Sequence, residues 1–66
     1  MLTEKEESIV LIALFSMAYR YFEEWEEYKD DFCKDGVLSI LKVARKINSG
    51  SRYTHDIGAL AAKMKE

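Results

Sequence analysis

Residues 9–22, IVLIALFSMAYRYF, run without a break into residues 23–31, EEWEEYKDD. The first six residues of the run are apolar, and only Ser16 and Arg20 interrupt the rest of it. A helix on the surface of a globular protein shows one apolar stripe. This one is apolar nearly all round, more than one small chain is expected to cover, so the run points to association with another molecule, most simply a second copy. Beyond the all-round section the apolar residues thin to a stripe, Leu11, Phe15, Ala18, Phe22, Trp25, Tyr28 and Phe32, at steps of three and four that are helical and close to heptad.

The rest of the chain is read outward from that helix. Thr3 followed by Glu6 forms a capping-box pattern, and Glu4, Glu6 and Glu7 suit a positive helix N-terminus. The first helix is therefore expected over about residues 3–32. Lys34-Asp35-Gly36 reads as the first stop, with Gly36 suited to a left-handed backbone position. A second helix is expected over Val37–Ile47, with Val37, Ile40, Leu41, Ala44 and Ile47 on one face. Asn48-Ser49-Gly50-Ser51 reads as a loop with a glycine C-cap, and Thr54 as the cap of a third helix whose apolar face is Ile57, Leu60, Ala61 and Met64. The expectation is a single all-α domain over residues 1–66: one long helix, then a short helical hairpin over about 36–66, assembled as an intermolecular bundle.

Size supports association. A chain of 66 residues loses about 100 kcal/mol of conformational freedom on folding, and small domains usually need a disulfide, a metal or a partner. Cys33 is the only cysteine and His55 the only histidine, so neither an internal disulfide nor a zinc finger can be built. A hairpin of two short helices covers about half of a long one of this length, which leaves the other half for a homodimer with Leu11, Leu14, Phe15, Ala18 and Phe22 as central anchors. Fourteen residues of apolar helix reach about 21 Å, short of a hydrocarbon core of about 30 Å. No membrane span is expected, and no signal peptide, because Glu4, Lys5, Glu6 and Glu7 stand where a positive segment would be needed. With a lone cysteine the expected setting is cytoplasmic.

Charge is divided between the halves. Residues 1–35 carry ten acids and four bases, a net of −6, and residues 36–66 carry six bases and two acids, a net of +4. Glu23, Glu24, Glu27, Asp30 and Asp31 form an acidic face beside Trp25, Tyr28 and Phe32. Carboxylates at i,i+4 repel by a few tenths of a kcal/mol each, so the block does not serve helix stability, and it suits a basic partner. Lys42, Arg45, Lys46 and Arg52 form a basic counterpart that could meet phosphates.

Two resemblances bear on chemistry. Glu23-Glu24-Trp25-Glu26-Glu27 resembles the EExxE half of the motif of the all-α nucleotide pyrophosphohydrolases of the MazG type, which implies magnesium held by helix carboxylates. The resemblance covers five residues. The second acidic pair of such enzymes, ExxD on the next helix, has no counterpart, since no acid lies between Asp35 and Asp56. Leu38–Met64 is similar to the first two helices of a winged-helix DNA-binding domain, which implies nucleic-acid binding, but it stops before a recognition helix. His55 has Arg52 three residues before it, so the Glu-x-x-His pattern of di-iron bundles is missing. The expectation is no catalytic residue, no metal and no cofactor. It is a small, homodimeric, non-catalytic interaction protein that presents its acidic face or basic hairpin to a protein partner, an accessory or inhibitory protein of the kind phages encode. A nucleic-acid-binding regulator is the alternative, and a pyrophosphohydrolase fragment is a more distant one.

Overall fold

The computed structural model describes residues 2–65, and in them the chain is all-α. Three helices succeed one another: α1, Glu4–Tyr28; α2, Asp31–Asn48; and α3, Arg52–Lys63. The capping box at the start of α1 is present. The Glu6 amide donates to Thr3 Oγ1 at 3.1 Å, and the Thr3 amide donates to Glu6 Oε1 at 2.8 Å. Those bonds, the Thr3 backbone one first, hold the Glu6 carboxyl below the usual carboxylate range. The first turn is thus secured above the ordinary carboxylate pKa and loosens as pH falls through the lowered one.

The first break lies earlier than Lys34-Asp35-Gly36. Lys29 takes the left-handed conformation, φ 55° and ψ 37°, and donates its amide to the Trp25 carbonyl at 2.7 Å. Asp30 then caps α2, its Oδ1 accepting the Phe32 amide at 2.9 Å. Gly36 is not a stop but sits inside α2 with no positive φ, and the Tyr21 ring lies against it: a Cβ there would stand 3.0 Å from Tyr21 Cε2. Its missing side chain lets the two helices close. The break also ends the stripe early, so that Tyr28 and Phe32 are 71% and 69% exposed.

The second turn differs in the same manner. Ser49 ends α2 in ordinary right-handed backbone, and no described glycine has positive φ, so Gly50 is not the expected glycine cap. Ser51, not Thr54, caps α3, its Oγ accepting the Tyr53 amide at 3.2 Å. Thr54 is buried one turn later and donates its hydroxyl to the Asn48 carbonyl at 2.7 Å, with the Ala44 carbonyl at 3.4 Å. A helix end leaves carbonyls without intrahelical donors, and Thr54 supplies one from the next helix.

The core draws on all three helices: Leu11, Ala18, Phe22 and Trp25 from α1, Cys33, Val37, Ile40, Leu41 and Ala44 from α2, and Ile57, Leu60, Ala61 and Met64 at the α3 end. Each helix places an alanine there, Ala18, Ala44 and Ala61, where a small side chain lets backbones approach. Because α2 begins at Asp31 and has 18 residues, it reaches about 27 Å back along α1. The intramolecular cover therefore extends as far as Leu11, which is 2% exposed, and is greater than the expected half.

Thr54→Val keeps the shape and removes the donor. It is expected to lower stability by about 1 kcal/mol, because the side-chain hydrogen bond joining α3 to α2 is lost while the Asn48 carbonyl keeps the Ser51 amide at 3.2 Å. Chemical denaturation of the two proteins side by side measures this.

Candidate functional site

Three surfaces compete as the functional one. The first is the acidic end of α1. Trp25 is buried against the core and fixes the helix, and Glu23, Glu24, Glu26 and Glu27 fan around it, all exposed. The aromatic side chains beneath form a ladder. Phe15 and Tyr19 stack at 6.1 Å between ring centroids, Tyr19 and Phe22 at 6.4 Å, and Phe22 and Trp25 at 6.2 Å. Lys29 Nζ lies 3.9 Å over the Trp25 ring. The carboxylates thus project from a helix anchored to the core through Phe22 and Trp25. Not all five of the expected face residues are free for a partner: Asp30 is the α2 cap, and Glu24 accepts a hydrogen bond from Cys33 Sγ at 3.4 Å. Glu23, Glu27 and Asp31 are exposed, and their carboxylates stand clear of both of these internal bonds.

The Cys33 thiol is buried, and its pKa is raised, by burial first, then by the Glu24 hydrogen bond and the negative charges of Glu24 and Asp30. The fold favours the neutral thiol, so stability is constant below the ordinary thiol pKa and falls as pH rises through it. A thiolate is the reactive form, and this cysteine is held away from it.

The second surface is basic. Lys42, Arg45 and Lys46 are exposed on α2, and Arg52 is exposed in the first turn of α3. Beside them an open depression of about 320 Å³ is lined by Arg45, Ser49, Thr54, His55 and Gly58. His55 is exposed there. The Thr54 hydroxyl is already committed to backbone carbonyls.

The third surface is apolar. Of the five expected dimer anchors, Leu11, Ala18 and Phe22 are consumed by the chain's own core, and Leu14 and Phe15 are half-buried. The burial of the first three results from the longer α2 and rules them out as first contacts for a copy. The exposed apolar residues are others, notably Met17, Tyr28, Phe32 and Val43, with Ile9, Ile12 and Tyr19 elsewhere on α1. An open depression of about 210 Å³ between Met17, Arg20, Tyr21 and Glu24 borders the first group. The sequence signal for it lies in two of the apolar residues of α2 that are off its core stripe, Phe32 and Val43 (Leu38 is a third, also exposed), and reading it requires the α1–α2 register.

Among the described residues no group of three or more His, Cys, Asp and Glu side chains is gathered to hold a metal ion, so the EExxE-like carboxylates are not assembled into such a site. Among the same residues no helix is long and apolar enough to cross a membrane. In comparisons with known proteins no family model matches the chain, and no curated protein or solved structure matches it either.

In the folded protein Cys33 is expected to resist a disulfide exchange reagent at neutral pH and to react fully once denaturant is added. Time courses of thiol release in the two conditions measure this.

Proposed function

We propose that this is a small non-catalytic helical interaction protein that self-associates and offers the acidic outer surface of α1 and its following turn to a basic macromolecular partner, a protein surface in the first instance. The observation that carries the reading is the placement of Glu23 and Glu27 on the exposed side of a helix whose other side is locked by Trp25 and the ring ladder. Mutually repelling carboxylates cost a helix stability; on a helix anchored to the core they form an array that attracts cations and steers their approach. Asp31 at the start of α2 extends the array past the turn.

A second reading is supported by the exposure of Lys42, Arg45 and Lys46 along α2, which would fit nucleic-acid phosphates.

Fluorescence anisotropy with a labelled cationic peptide and a labelled DNA duplex separates the two. The acidic-surface reading expects peptide binding that weakens steeply with salt and falls at least tenfold in the Glu23→Lys/Glu27→Lys double variant, with no duplex binding. Duplex binding that is lost in Lys42→Ala/Arg45→Ala/Lys46→Ala, with no response to the peptide, would replace it with the nucleic-acid reading.

A further inference from the structure

The α1–α2 pair has two broad sides, and α3 lies on one of them. The occupant of the other is constrained by register. Tyr21 meets Gly36 and Glu24 meets Cys33, three residues forward on α1 for three back on α2, as an antiparallel pair requires. Continued toward the other end, this step sets Met17 level with Ile40, Leu14 with Val43 and Val10 with Ile47. At 100° per residue, Val10, Met17 and Tyr21 share one side of α1, and Phe32 and Val43 share one side of α2. The T-shaped contact of Tyr21 with Phe32, at 6.2 Å between centroids, joins the two sides into one surface. Met17 is 51%, Phe32 69% and Val43 46% exposed on it.

We infer that this surface, opposite α3, is the seat of a second copy of the chain, packed face to face across a two-fold axis that passes by Met17 at right angles to the helices. The inference rests on the self-association in the proposed function and specifies the face that carries it.

Two observations converge on a copy as the occupant. The surface is complementary to itself when reversed end for end. With Met17 on the axis, the bulky Phe32 and Tyr21 of one copy come level with the smaller Val10/Ile47 and Leu14/Val43 of the other. Isologous pairing of this kind is the usual form of a dimer. Extent agrees as well. A strip about 27 Å long across a helix pair about 18 Å wide covers about 500 Å² per copy, or about 1,000 Å² for the dimer, the lower bound for a specific interface. An interface at the lower bound makes a dimer that dissociates on dilution.

The test is the mass of the full chain by multi-angle light scattering from micromolar to millimolar concentration, with circular dichroism to confirm that each variant is folded. Wild type is expected to pass from monomer to dimer. Met17→Glu, which places two like charges at the axis, is expected to stay monomeric, while Ile12→Glu on the other exposed flank of α1 dimerises as wild type does. If Met17→Glu fails to fold, Val43→Lys takes its place. A wild type that stays monomeric throughout would overturn both this inference and self-association. A dimer that survives Met17→Glu and Val43→Lys but is broken by Ile12→Glu would overturn this face alone and leave self-association standing.

Discussion

The Tyr21 ring on the bare backbone of Gly36 sets the spacing of the α1–α2 seam, and the rest of the structure depends on that seam. Close approach there brings Trp25 and Cys33 into one core and puts Ala18 and Ala44 fully out of solvent. It also fixes the register that decides which apolar residues are used internally and which remain outside. A Cβ at position 36 would require the Tyr21 ring to give by a few tenths of an ångström, and overpacking of this kind is usually destabilising. α3 then closes one side of the pair, and its attachment is as much polar as apolar. The Thr54 hydroxyl ties the start of α3 to the last carbonyls of α2, so that the two helices share an end.

How much of this is legible in the sequence varies with the kind of signal. Three helices, the capping box at Thr3 and Glu6, and the core stripes of the second and third helices emerge from periodicity, and the structure has them. The turns are harder. A glycine is the usual mark of a helix stop, but at Gly36 the missing side chain serves interhelical packing. The actual stop uses Lys29, a residue with no preference for left-handed backbone, and becomes visible only once Asp30 is recognised as a cap. Thr54 shows the same ambiguity, since its hydroxyl suits a cap and a buried donor equally, and three residues upstream Ser51 offers the same chemistry. These shifts of a few residues have a large effect on the candidate site. Starting α2 at Asp31 lengthens the cover over α1, moves Leu11, Ala18 and Phe22 from the expected interface to the interior, and turns Tyr28 and Phe32 out of the stripe.

The acidic and apolar surfaces are physically linked. The acids from Glu23 to Asp31 occupy the outer side of α1 and its turn, and the apolar strip runs along the adjoining side of the same helix. Glu24 stands at the boundary, touching the core through Cys33 and the rim of the apolar strip through the depression it shares with Met17 and Tyr21. Any occupant of the strip therefore borders the acidic array, and binding at one surface changes the solvation of the other.

Between Glu4 and Asn48 only Lys29 and Asp30 stand outside the helices. Left-handed backbone costs a residue other than glycine about 1–2 kcal/mol, so the bend stores strain that straightening would release. With both residues in helical conformation, α1 and α2 would join into a single rod about 67 Å long. The bend is kept by the core it creates, by the Asp30 cap and by the Lys29 amide on Trp25. The topology is consequently a balance between one strained residue and a buried seam, and the packing of the seam, more than the chemistry of the turn, holds the chain folded back on itself.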